Sequence, residues 1–294
     1  MRLVRKVAVI LPVAKSSLDL DFVTSFDQAY SYVIANQDKL PYDIVIMKWY
    51  EPTFPIDANR NMCATYMVEG FPIKYNKDGE VLDKFHADIS IWLDTDHTIP
   101  MDALFNLLKH DRPIMLGVYY LKVGHRDRPF YPVLFRRRED SNNGLYRAVM
   151  EFPHDQIFEV DFAGMGCACI HKEVFEKLEP PFFEYSSHPA GSSDYRSAWK
   201  NKHGIKDISE DRYFWDKVKD STNYPILVDP AVSLGHIGKF VYDKYMYGAW
   251  LEAYKERMLK EHGPEGFKKQ WDEMAIAEPY KEVEVYGING KKKK

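Results

Sequence analysis

Asp88-Ile-Ser-Ile-Trp-Leu-Asp-Thr-Asp-His-Thr-Ile-Pro100 is the stretch on which the reading of this chain turns. Ile89, Ile91 and Leu93 form a short apolar run with strand character. It stops abruptly at Asp94-Thr95-Asp96. Residues two apart on a strand point to the same side, so both carboxylates share a face at the strand's end. Like charges held that close raise each other's energy unless a cation offsets them. Mg²⁺ and Mn²⁺ prefer oxygen ligands and commonly combine a few carboxylates with substrate phosphates. The triplet therefore reads as a metal–diphosphate site, and a solvated acidic turn is the alternative that its brevity leaves open.

The flanking segments give the triplet a context. Val4–Leu11 is β-branched and nearly continuous, as a strand buried on both faces should be. Its apolar part is too short for a secretory signal and ends at Pro12. The loop from Pro12 to Ser17 follows. Phe22–Asn36 has helical spacing, with Phe22, Phe26, Ala29, Tyr30 and Val33 on one side. Tyr42–Met47 is a second strand. Strand, helix and strand in this order imply a parallel sheet, whose ligands sit beyond the carboxyl ends of its strands. The Pro12 loop and Asp94 both occupy such ends. Pro113–Tyr120 and Ile226–Val232 read as further strands, and Pro100–Lys109 and His171–Leu178 as helices.

Composition narrows the possibilities. The 294 residues suit one large domain or slightly more. Forty Lys and Arg against 44 Asp and Glu give a net charge of −4, which argues against coating nucleic acid by bulk charge. Three cysteines, Cys63, Cys167 and Cys169, make neither a disulfide framework nor a four-ligand zinc pattern, and read as buried small side chains. No apolar run reaches the roughly 18–20 residues of a membrane span. The expected location is the cytoplasm, or a host's cytoplasm if the source is viral.

Other residues carry chemical potential. A helix from Ile56 to Met67, with Asp57 as its expected N-cap, places Arg60 near a helix start, where a cation gains nothing from the dipole and calls for an anionic partner. Lys122–Arg138 mixes basic residues with Tyr131, Phe130 and Phe135, a pattern that suits a nucleic-acid backbone, a sugar or solvent equally. Gly164 and Gly166 permit close approach by a ligand or a neighbouring strand. Ser209 is a helix N-cap candidate, and Glu210 and Asp211 suit the positive end of that helix. His236 lies in a glycine-flanked turn, a setting that suits a metal ligand or a structural imidazole. Residues 180–196 read as an irregular loop. From Phe240 to Ala277 the pattern is helical and amphipathic, broken at His262-Gly263-Pro264.

Taken in order, the Pro12 loop, Asn59-Arg60-Asn61, Asp94-Thr95-Asp96, Gly117-Val118-Tyr119 with Lys122, Gly164-Met165-Gly166, Ser209-Glu210-Asp211 with Phe214, and Asp229-Pro230 leading to Leu234-Gly235-His236-Ile237-Gly238 resemble the nucleotide-sugar glycosyltransferases of the GT-A fold. The resemblance is to family-two-like enzymes of bacteria and phages and covers about Val4 to Gly238. It implies an α/β fold with a Rossmann-like, mostly parallel central sheet, helices on both faces and a C-terminal helical extension. The catalytic domain would span 1–238, with the extension and basic tail at 239–294. It further implies that Pro12 and Val13 line a nucleoside pocket and that Arg60 approaches the donor. Asp96 would bind Mn²⁺ or Mg²⁺, Asp94 would contact the ribose or complete the shell, and His236 would be the remote ligand. Gly164 and Gly166 would lie near the donor sugar and acceptor. Asp211 would be the general base of an inverting transfer, with Glu210 as the substitute.

The expected donor is a nucleotide sugar, with a UDP-sugar the first choice. Its acceptor is a glycan or another hydroxyl compound; DNA carrying a hydroxylated base, bound through 122–138, is an alternative. Association through the C-terminal helices is a further expectation. Met47-Lys48-Trp49 stands where the family often carries a base-contacting acidic residue, and the Gln-x-x-Arg-Trp motif of processive synthases is absent. A nucleotidyltransferase would carry a glycine-rich loop after its first strand, which Pro12–Ser17 lacks. A non-catalytic glycan-binding module would have no need of Asp94, Asp96, Asp211 and His236 together.

Overall fold

The computed structural model describes residues 2–13, 18–52, 55–122, 131–137, 146–185, 209–238, 241–272 and 275–280. Seven strands form the central sheet: β1 (Val4–Pro12), β2 (Asp43–Glu51), β3 (Ile89–Leu93), β4 (Ile114–Val118), β5 (Phe158–Val160), β6 (Cys167–His171) and β7 (Ile226–Ser233). Their order across the sheet is β5-β7-β4-β6-β3-β1-β2. β1 pairs in parallel with β2 and β3, and β7 pairs in parallel with β4. β6 lies antiparallel between β3 and β4, and β5 is antiparallel at the edge. The sheet is thus mostly parallel, as the strand pattern implies, with one reversed strand at its centre. That reversal matters locally, because it brings the amino end of β6 to the edge where its neighbours end.

Helices cover both faces. α1 (Leu20–Ala35) and α3 (Ala103–Lys109) bury Phe22, Phe26, Ala29, Val33, Leu104, Leu107 and Leu108 against Val7, Val9, Leu11, Ile89, Ile91 and Leu93. The intervening strand residues Ala8, Ile10 and Trp92 face the other side. There they meet α2 (Ile56–Glu69), α4 (Lys172–Phe175) and α5 (Glu210–Ser221). This two-residue alternation is the pleat expressed as two cores. Tyr42 donates from its hydroxyl to the Leu108 carbonyl at 2.7 Å, tying the start of β2's approach to the end of α3.

α6 (Lys244–Trp271) bends at Gly263, whose φ of 67° is ready for glycine and costly for other residues, just before Pro264. Tyr247, Leu251 and Met258 of α6 are buried. Beyond it, Ala275–Ile276 pairs with the strand Tyr146–Glu151, so the described part of the extension is laid on the core. The tail at 291–294 lies outside the described residues. Helix starts differ in detail from expectation: Pro55, not Asp57, is the N-cap of α2, and Asp57 sits in its first turn. Ser209 does cap α5, accepting from the Arg212 amide at 3.3 Å. All three cysteines are buried thiols. No helix among the described residues is long and apolar enough to cross a membrane.

α5 is anchored by Phe214, fully buried, which stacks on Phe183 with ring centres 4.7 Å apart and touches Phe175 and Trp215. Phe214→Ala should destabilise the fold by about 3–5 kcal/mol, measured by urea unfolding, through lost contacts and the cavity left behind.

Candidate active site

The carboxyl ends of β1 and β3, the segments that follow β4 and β7, and the amino ends of α1, α2 and α5 line a cleft of about 650 Å³. Pro12, Ile56, Arg60, Asp94, Thr95, Asp96, Lys122, Tyr185, Glu210, Asp211 and Gly238 are among the residues lining it. Two charged clusters share this space.

The first is built on Arg60. Its guanidinium is almost wholly buried and reaches three carboxylates from distant parts of the chain. Nη1 donates to Glu210 Oε1 at 2.7 Å and to Asp211 Oδ1, and Nη2 donates to Asp94 Oδ1 at 3.2 Å. The expected anionic partner of Arg60 is therefore three partners. Glu210 and Asp211 open α5 in its first turn, where the helix dipole favours carboxylates. Tyr185 lies against Glu210, and the Met165 amide donates to Asp211. One guanidinium among three carboxylates leaves a local deficit of positive charge. Burial pushes the Asp211 carboxyl up to about 8; Arg60 opposes this, and Glu210 and Asp94 add to it.

The second cluster is set by backbone pairing. A small antiparallel sheet joins His97–Thr98, Gly235–Ile237 and Val241–Tyr242, with His236 directly opposite His97. The Ile237 amide donates to the Asp96 carbonyl at 2.7 Å. His97 and His236 stack at 4.5 Å, and Asp96, His97 and His236 each offer a ligand atom within 4.8 Å of the others. His236 Nδ1–H donates to the Tyr120 carbonyl at 2.7 Å, which orients the ring so that Nε2 stands 3.5 Å from Asp96 Oδ2. His97 Nδ1 likewise bonds the Asp94 carbonyl at 3.2 Å, and its buried Nε2 has no partner. Burial, with His236 beside it, pushes the His97 imidazole down to about 4, so it is neutral at physiological pH. Lys122 Nζ bonds Asp96 Oδ2 from the cleft side. A carboxylate oxygen and two imidazole nitrogens could hold a divalent transition ion, and the mixed set suits Mn²⁺ better than Mg²⁺.

The two glycines of the apolar segment serve close approach within the protein. A Cβ on Gly166 would stand 2.7 Å from His97 Cε1 and 2.9 Å from Asp94 Oδ2. One on Gly235 would meet Thr98 Oγ1 at 2.3 Å, so the pairing that brings His236 to His97 requires glycine there. Asp94 is further fixed by its amide, which donates to the Gly166 carbonyl at 3.2 Å.

Of the residues singled out in the sequence, Pro12, Arg60, Asp94, Asp96, Glu210 and Asp211 line the one cleft, and His236 stands directly behind Asp96. Val13 is held at its rim, donating to the Glu51 carbonyl at 2.8 Å. Gly164 packs on the Tyr119 ring. Asp94 bonds Arg60, and the cluster that could hold a metal ion joins His97 to Asp96 and His236. His97 was the residue missed, although it directly follows the triplet. In the basic stretch, Lys122 pairs with Asp96 and Arg136 lies 3.9 Å from Asp161. Residues 123–130 and 138 lie outside the described residues, as does most of the irregular loop at 180–196.

No family model matches this chain, and no curated protein does. Among solved structures, A197 from STIV is similar over 80% of this chain and 86% of its own, at 18% identity and a TM-score of 0.41. GalNAc-T7, solved with UDP, GalNAc and Mn²⁺, is similar over 80% of this chain and 44% of its own, at 11% identity and a TM-score of 0.43. A glycosyltransferase involved in glycosylation of the PBCV-1 major capsid is similar over 84% and 98%, at 11% identity and a TM-score of 0.29. At such values no functional residue carries over, and the chemistry rests on this chain's own atoms.

An unfolded Asp titrates near 3.9. Between there and about 8 the folded chain keeps a proton on Asp211 that the unfolded chain has released, so this group's contribution to stability falls as pH rises through that window. Asp211→Asn removes the dependence. In metal-free buffer, the melting temperature of the variant relative to the parent should rise from pH 5 to pH 8.5.

Proposed function

We propose that this chain is a glycosyltransferase of GT-A type that moves a sugar from a nucleotide-sugar donor, a UDP-sugar by expectation, to a hydroxyl acceptor with inversion at the anomeric carbon. The observation that carries the reading is the meeting of a cation-ready cluster and a raised-pKa carboxylate in one cleft at the carboxyl ends of the sheet. The cleft's volume lies within the range of small-molecule sites. The order of the motifs along the chain supports the same reading.

Asp96, His97 and His236 would hold the metal, Mn²⁺ in preference to Mg²⁺. Bound there, it supplies Lewis-acid neutralisation of the charge that develops on the departing diphosphate. The remaining work falls to the chain's own side chains. Asp211 accepts the acceptor's hydroxyl proton. The freed oxygen pair forms the new bond to the anomeric carbon, and the bond to the diphosphate oxygen breaks with its electrons leaving on phosphate. One base acting from one side gives a single displacement, hence inversion. Arg60 positions Asp211, Glu210 and Asp94; being buried among them, it acts on the carboxylates rather than on the donor. Burial, with Glu210 and Asp94 adding to it, raises the basicity of Asp211 toward the working range. Pro12 and Thr95 would floor the nucleoside end of the cleft.

The test is a panel of nucleotide sugars incubated with the protein and Mn²⁺, with release of nucleoside diphosphate as the readout. One donor should be hydrolysed slowly without acceptor, and Asp96→Ala should abolish this. A panel on which the parent neither binds nor hydrolyses any donor would sink the proposal and favour a non-catalytic module. Once an acceptor is known, Asp211→Asn should lower kcat by about 10²–10⁴-fold while the donor Kd stays within about twofold, a size typical of a lost general base. For the parent, kcat should climb with pH as Asp211 loses its proton and level off above about pH 8. A flat profile from pH 6 to pH 9 would remove Asp211 from that role.

A further inference from the structure

Asp96 Oδ2 is shared by two groups. Lys122 Nζ bonds it from the cleft, and His236 Nε2 faces it at 3.5 Å. The ammonium therefore stands on the same oxygen that a divalent ion held by Asp96 and His236 would use. Both side chains of the pair are partly open, at 34% and 42% of their surface, so the contact can exchange without opening the core. Exposed pairs of this kind are worth ~1 kcal/mol or less, and a divalent ion beside two imidazoles outcompetes them.

Lys122 has a second property. Among the described residues lining the cleft, the cationic side chains are Arg60 and Lys122. Arg60 is buried and committed to three carboxylates. Among the described residues, Lys122 is thus the adaptable cation that a diphosphate entering this acidic cleft would meet, on a flexible four-carbon stem just beyond the end of β4.

We propose that Lys122 is an exchangeable counter-ion. It occupies Asp96 in the cation-free protein, yields that oxygen when a divalent ion binds, and then turns to the donor's diphosphate, where it positions the leaving group. This rests on the transferase reading above. It predicts a change of sign: the same side chain should oppose binding of the metal alone and favour binding of nucleoside diphosphate once the metal is in place.

The experiment uses the full chain and its Lys122→Met, Lys122→Arg and Asp96→Asn variants. Mn²⁺ binding without nucleotide is followed by the electron paramagnetic resonance signal of the free ion, and UDP binding at saturating Mn²⁺ by calorimetry. Lys122→Met should bind Mn²⁺ about fivefold tighter than the parent, the factor that loss of such a pair allows. It should bind UDP about tenfold more weakly, as expected for a lost charge-assisted contact. Lys122→Arg should stay within about twofold of the parent in Mn²⁺ affinity. Tighter Mn²⁺ without weaker UDP, or the reverse, overturns the exchange, as does no change in either. Mn²⁺ binding that Asp96→Asn leaves intact would instead overturn the metal cluster on which the transferase reading stands.

Discussion

The guanidinium of Arg60 is the point on which the site depends. It is buried at the start of α2 and gathers Asp94 from the sheet with Glu210 and Asp211 from α5. Burying a lone charge is prohibitively costly, and breaking a buried ion pair by removing one partner leaves an uncompensated charge. The three elements are thus held to one another at the cleft by the need of each charge for the others. The balance is uneven by design of the sequence: three carboxylates to one cation. Burial gives Asp211 most of its affinity for a proton, and that excess adds to it.

The second cluster obeys a different constraint. Its members are aligned by main-chain pairing, not by attraction. Opposite positions in the small antiparallel sheet put His236 on His97, and Gly235 admits Thr98 where any side chain would collide. Each imidazole gives one nitrogen's proton to a backbone carbonyl, which orients the ring. The reversed strand β6 contributes at the same edge, because its amino end brings Gly166 against Asp94. A wholly parallel sheet would have placed that segment at the opposite end.

These two arrangements make complementary demands on a substrate. One wall carries Asp96, His97 and His236, a cluster that could hold a cation; the other carries Asp211, whose carboxyl burial pushes up to about 8. Lys122 bonds Asp96 in the same cleft. The chemistry of the cleft is therefore a matter of charge distribution across about 650 Å³ rather than of any single residue.

The sequence by itself determined the α/β class, most of the main strands and helices, and a set of candidate site residues. It could do so because these signals are local: the continuous apolar run of Val4–Leu11, the 3.6 spacing of Phe22 to Val33, and Ser209 ahead of Glu210. It marked Asp94, Asp96, Arg60, Asp211 and His236, since charged or imidazole groups at strand and helix ends stand out from packing residues. Only the tertiary structure decided who pairs with whom. Arg60 lies 150 residues from Glu210, and no periodicity encodes such a meeting. Asp94 meets Arg60 of α2, while His97 is paired with His236 across the small sheet, and both meetings are long-range. The direction of β6 was hidden for a similar reason: an apolar strand reads the same whichever way it runs, and only its neighbours' hydrogen bonds fix its sense.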